Sequence, residues 1–171
     1  MSKCLYTEAE VTQSGAQLLI DAISLDDVKT SKFRKAFPEA WRAMRDMVIC
    51  QVDDPSNRVN VGDVIWTQQG GNKHIGFCIV KEHEENDINK KAVGLCIKSA
   101  RNKARELNCK YVGMDLFASK TPKDWANIVE IVEYELQEIQ GVVCIPTNDE
   151  LVHVLENLPG SRNFKMITNK E

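Results

Sequence analysis

Apolar positions along the chain alternate between a period of two and a period near 3.6, which predicts interleaved strands and helices. Residues 3–7 can form a short strand, and Gln17 to Ile23 a second, buried one. From Thr30 to about Ile49, Phe33, Phe37, Trp41, Met44 and Val48 fall on one helical face. Pro38 interrupts that helix and is expected at the first turn of a second one, where its missing N–H costs nothing. Two strands follow, Asp63–Thr67 and His74–Val80, joined through the turn-forming Gln68-Gln69-Gly70-Gly71-Asn72.

A long helix comes next, with Asn86 or Asp87 as its expected cap and Val93, Cys96, Ile97, Ala100, Ala104 and Leu107 facing inward. Lys110–Asp115 reads as a strand. Thr121-Pro122-Lys123-Asp124 then opens a helix with an inward stripe of Trp125, Ile128, Val129, Val132, Leu136 and Ile139. Gly141 is expected to stop it. Val142–Ile145 reads as a buried strand, Asn148 as the cap of a short helix reaching Pro159-Gly160, and Phe164–Ile167 as an edge strand. Helices between successive strands are βαβ crossovers, so the fold class is a three-layer α/β/α sandwich with a mostly parallel mixed sheet. Ligands of such sheets sit at the carboxyl ends of the strands, here the loops after Ile23, Val80, Asp115 and Ile145.

Composition narrows the function classes. With 171 residues, a single domain is the expectation, with a core of about 3–158 and a polar tail of about 160–171. No apolar run approaches the ~18 residues of a membrane span. The opening residues lack an apolar signal core, which sets the expectation of a cytoplasmic protein. Twenty-two basic against 25 acidic residues leave a net charge of −3, unlike a dedicated duplex-DNA binder. The six cysteines include no CxxC pair and read as reduced, structural thiols. The acidic stretch around His83 lacks rigid ligand spacing and reads as a solvated loop before a helix, so no metal and no cofactor is expected. Neither a glycine-rich phosphate loop nor a G-x-S-x-G elbow is present.

Charge is segregated. Lys29 to Arg45 holds six basic residues and one acid, and Ile88 to Lys110 holds seven and one. These runs are either the solvated faces of amphipathic helices or an anion-attracting surface for a phosphorylated ligand, nucleic acid or protein partner.

Four segments resemble the macrodomain family of ADP-ribose-binding proteins, most closely its branch that removes ADP-ribose from carboxylates or nucleic-acid bases. Leu18-Leu19-Ile20-Asp21-Ala22-Ile23-Ser24 is similar to that family's strand running into an Asn-x-x-Asn pair. Phe33-Arg34-Lys35-Ala36-Phe37-Pro38-Glu39-Ala40-Trp41 is similar to its F-x-x-x-F-P-E-x-aromatic helix, and Val61-Gly62-Asp63-Val64 to its G-D turn into a hairpin. Thr121-Pro122-Lys123-Asp124-Trp125 resembles the start of its late helix. The likeness runs from about Tyr6 to Pro146.

The departures lie in the chemistry. The family's two asparagines fall on Asp21 and Ser24. Its two glycine-rich loops are represented by Leu25-Asp26-Asp27-Val28-Lys29 and Phe117-Ala118-Ser119-Lys120, both without glycine. Backbone amides approach a pyrophosphate closely only where Cβ atoms are missing, and Asp26 and Asp27 would face its negative charge. Lys81 aligns with the lysine that attacks the sugar in the carboxylate-deribosylating branch, but the acid that partners it falls near Thr121.

The resemblance therefore implies a diverged macrodomain with a degenerate active site that binds an ADP-ribose-related or other nucleotide without efficient turnover. Its pocket would draw on Asp21, Ser24, Asp115, Phe117, Ser119, Lys120 and Thr121. Two alternatives stand beside it: an ADP-ribosyl hydrolase with Lys81 as catalytic residue, and an interaction protein docking a partner through basic helices 29–45 and 90–110. Taken alone, Lys81 also reads as a strand-end lysine pointing to water, and Asp21 as an acid capping the following turn.

Overall fold

The computed structural model describes residues 5–7, 10–13, 15–53, 59–83, 87–115, 117, 122–136, 139–144 and 166–167. Strands β1 (Leu5–Thr7), β2 (Leu18–Ser24), β3 (Val64–Gln69), β4 (Lys73–Lys81), β5 (Tyr111–Met114), β6 (Gln140–Cys144) and β7 (Met166–Ile167) form one sheet. Its order is β3-β4-β2-β5-β6-β1-β7, with only the β3–β4 hairpin antiparallel. The mostly parallel mixed sheet expected from the crossovers is therefore present.

Helices α1 (Phe33–Ala36), α2 (Pro38–Asp53), α3 (Lys90–Glu106) and α4 (Pro122–Glu135) cover its two faces. Strand alternation assigns the layers. Leu19 and Ile23 of β2 join Ile75, Phe77 and Ile79 of β4 beneath Phe33, Phe37, Trp41 and Met44 of α1 and α2. Leu18 and Ile20 face the opposite way, into a second core with Val93, Ile97 and Ala100 of α3 and Ile128, Val129 and Val132 of α4. Central strand β2 is thus buried on both faces. The two basic helical runs belong to opposite layers and do not merge into one anion-attracting surface.

Three boundaries differ from the sequence expectation. The helix expected to run unbroken up to Pro38 is a single 3-10 turn at Val28–Thr30 followed by the four-residue α1, and Pro38 does open α2. Asn89, rather than Asn86 or Asp87, caps α3 by accepting the Ala92 N–H at 3.1 Å. The Asn89 N–H is itself held by the Val80 carbonyl at 3.0 Å, so the chain turns into helix only after that bond. Gly141 lies inside β6 and does not stop α4. Gln140 already donates to the Lys110 carbonyl at 3.1 Å, and Gly141 pairs with Val112. Of the expected edge strand, Met166–Ile167 pairs parallel with β1, while Phe164 and the helix from Asn148 fall outside the described residues.

Gly70 sits in the β3–β4 turn at φ +64°, the left-handed conformation a tight reversal needs. Gly76 has a different reason. A Cβ there would lie 2.5 Å from Cζ3 of Trp66, whose indole crosses the glycine and donates to Ser99 Oγ at 3.2 Å. Gly76→Ala should therefore destabilise the fold by about 1–3 kcal/mol in urea denaturation. Pairing it with Trp66→Val should recover most of the loss, and equal midpoints for Gly76→Ala and wild type would refute the contact.

Candidate functional site

Adjacent parallel strands β2 and β5 send their following loops to opposite layers, the first to α1 and α2, the second to α4. The order of the connections makes this a topological switch point, the place where α/β sheets bind ligands. The register Leu18↔Val112 and Leu19↔Gly113, continued two residues further, sets Asp21 level with Asp115. Alternation turns Asp21 toward the α1–α2 layer, as it does Leu19 and Ile23.

Asp21 is 4% exposed. Its Oδ2 accepts the Ser31 hydroxyl at 2.7 Å, and Ser31 Oγ in turn accepts the Phe33 N–H at 3.2 Å where α1 begins. Burial, and after it the negative charge of Asp115, push the Asp21 carboxyl up to about 7, against the pull of Ser31 and the Lys32 charge. Asp115 divides its oxygens. Oδ1 accepts the Phe117 N–H at 2.7 Å, and Oδ2 forms an ion pair with the Lys32 ammonium. Burial works against the charged Lys32, but Asp115 outweighs it and the lysine pKa is raised above its usual value. Loop and strand end thus meet in a cluster of two acids, one lysine and one hydroxyl. A carboxyl titrating near neutrality can give or take a proton there.

The other residues singled out from sequence are placed as follows. Ser24 is fully buried, and its hydroxyl donates to the Asp27 carbonyl at 3.3 Å. Lys81 ends β4 half-buried, beside Ser24 across a register shift, with its carbonyl accepting the Leu25 N–H at 3.2 Å. Ser24 and Lys81 therefore meet on the β4 side of β2, and Asp115 stands on the other. Phe117, expected among the pocket residues, buries its ring instead. It is 1% exposed within the α3–α4 core, and its left-handed φ of +55° leaves its N–H aimed back at Asp115. Ser119, Lys120 and Thr121 lie outside the described residues.

Asp26 and Asp27, the two acids expected to face a diphosphate, both have partners within the protein. The Asp26 carboxylate lies 3.3 Å from His83 Nδ1, and the Asp27 side chain caps the turn at Val28–Thr30 by accepting the Lys29 N–H at 3.1 Å. The same loop and α2 line a cavity of about 660 Å³ that includes Leu25, Val28, Trp41, Arg45 and Val48. Sequence reasoning missed Ser31 and Lys32. A serine two residues before Phe33 is a helix-start signal, but nothing local shows that its hydroxyl reaches a carboxylate ten residues back.

Neither a protein-family model nor a curated protein matches the sequence. Solved structures do match. The macrodomain of Mycobacterium tuberculosis DarG is 15% identical with a TM-score of 0.69, over 86% of this chain and 100% of that one. The macrodomain of Thermus aquaticus DarG is 14% identical with a TM-score of 0.65, over 84% and 98%. Thermosipho africanus DarTG in complex with ADP-ribose is 11% identical with a TM-score of 0.65, over 92% of this chain and 43% of that one. The protein has the macrodomain fold. Among the described residues no helix is long and apolar enough to cross a membrane.

Asp21 makes stability depend on pH. Its folded-state value of about 7 lies above the ordinary 3.8. The proton it holds therefore stabilises the fold fully below about pH 4, and that contribution is lost as pH rises through about 7. Asp21→Asn removes the titration, so its urea midpoint should gain on wild type between about pH 4 and pH 8. A gap that stays constant over that range would show an ordinary carboxylate.

Proposed function

We propose that this protein is a nucleotide-binding macrodomain that holds ADP-ribose or a related nucleotide at the β2–β5 switch point without efficient turnover. The observation that carries the reading is the meeting of Asp21 and Asp115 at the switch point, with a cation beside them. Carboxylate oxygens there suit the hydroxyls of a ribose or the amino group of a base. Ser119, Lys120, Thr121 and the Phe117 backbone complete the proposed pocket, while Ser24, fully buried on the β4 side of β2, braces the loop through Asp27. The solved complex of Thermosipho africanus DarTG with ADP-ribose supports the choice of ligand.

The absence of efficient turnover follows from side-chain chemistry. The hydrolytic branch that the sequence resembles pairs its lysine with an acid, and Thr121 at the corresponding place cannot act as a general acid at neutral pH.

ADP-ribose at a hundredfold excess over its Kd should add about 2.7 kcal/mol and raise Tm by about 5–10 °C. Asp21→Ala should abolish that shift. A flat response to ADP-ribose, ADP, AMP and NAD would remove the reading. ADP-ribosylated DNA and ADP-ribosylated glutamate peptide should remain intact with wild type and with Lys81→Ala alike. Release of ADP-ribose by wild type that Lys81→Ala eliminates would instead establish a hydrolase.

A further inference from the structure

The loop after β2 contains no glycine from Leu25 through Lys32, so its backbone cannot close on a phosphate as a glycine-rich loop does. A side chain supplies the positive charge in its place. Lys32 reaches from this loop across the switch point to Asp115 at the end of β5, and so spans the site proposed for the ligand. The lysine side chain is 41% exposed, whereas that of Asp115 is 10% exposed. The pair compensates a largely buried carboxylate, so the fold has its own use for it. An exposed ammonium over a sheltered carboxylate is, however, placed to change partners. A diphosphate offers Lys32 more negative charge than one carboxylate does. Once the lysine leaves, Asp115 keeps the Phe117 N–H on Oδ1, and its Oδ2 becomes, among the described residues, an acceptor without a donor. An incoming ligand has to supply that donor as well as the anion.

The geometry points to Lys32 as the anion-selecting residue of the switch point: a diphosphate on the ligand takes the ammonium from Asp115, and a sugar hydroxyl takes the vacated place on Asp115 Oδ2. Until then Asp115 holds the lysine as an internal competitor. The ligand class this selects is a sugar diphosphate carrying free hydroxyls, which specifies the nucleotide reading and rests on it for the sugar.

Calorimetric titration of inorganic pyrophosphate, ADP-ribose and uncharged adenosine into four proteins tests the exchange. The proteins are wild type, Lys32→Met, Lys32→Arg and Asp115→Asn, each checked for folding by circular dichroism. Lys32→Met should weaken pyrophosphate and ADP-ribose by about tenfold or more while leaving any adenosine binding unchanged. Lys32→Arg should restore most of the anion affinity, which a purely structural role would not require. Asp115→Asn should bind pyrophosphate more tightly than wild type, because the competitor is gone. Pyrophosphate binding that depends on Lys32, with no nucleotide bound, keeps this assignment and removes the nucleotide reading. ADP-ribose binding that Lys32→Met leaves intact does the reverse. Failure of both wild type and Asp115→Asn to bind either anion overturns the assignment.

Discussion

Burying the Asp21 carboxyl in the middle of the central strand β2 sets the terms for everything around it. Both faces of β2 are packed, so this carboxyl cannot reach bulk water, and its charge has to be met by protein. The Ser31 hydroxyl meets part of it, which fixes where α1 begins. Asp115, level with it on β5, adds a second negative charge, and Lys32 lies between the two demands. The path of the loop from β2 to α1 follows from compensating two neighbouring acids.

A glycine-rich loop recognises phosphate through backbone dipoles. Here both corresponding loops lack glycine, and side chains fix their course. On the β5 side, Asp115 stabilises a left-handed Phe117 by accepting its N–H, so a non-glycine residue holds a conformation that glycine usually supplies. The Phe117 ring then anchors that loop in the α3–α4 core. On the β2 side, Asp26 lies beside His83 and Asp27 accepts the Lys29 amide, which fixes the 3-10 turn at Val28–Thr30.

Much of the architecture was legible in sequence because its signals are local. The stripe Phe33, Phe37, Trp41 and Met44, the Gly70-Gly71 reversal and the Pro38 helix start each follow from short-range rules, and all three are present. Misplaced boundaries have non-local causes: Asn89 is fixed by a bond to Val80, and Gly141 by pairing with β5. The site was legible only in part. Asp21 and Asp115 stand out as acids in expected strands, but their side-by-side placement depends on parallel register between strands some ninety residues apart. No spacing rule carries that information. Lys32 was hidden for the same reason, since its partner is remote in sequence. Phe117 entered the pocket through its place in the loop, and the burial of its ring depends on packing against α3 and α4 that no local signal carries.

Trp41 gives the β2 loop an intrinsic optical reporter. Its indole N–H is bound to the Val28 carbonyl at 3.0 Å, four residues before Lys32, and Arg34 and Arg45 lie over its ring at 5.0 and 5.3 Å. Displacement of the loop would disturb that hydrogen bond and so the indole's fluorescence. Trp66 and Trp125, packed on the opposite layer, would supply an internal reference within the same emission spectrum.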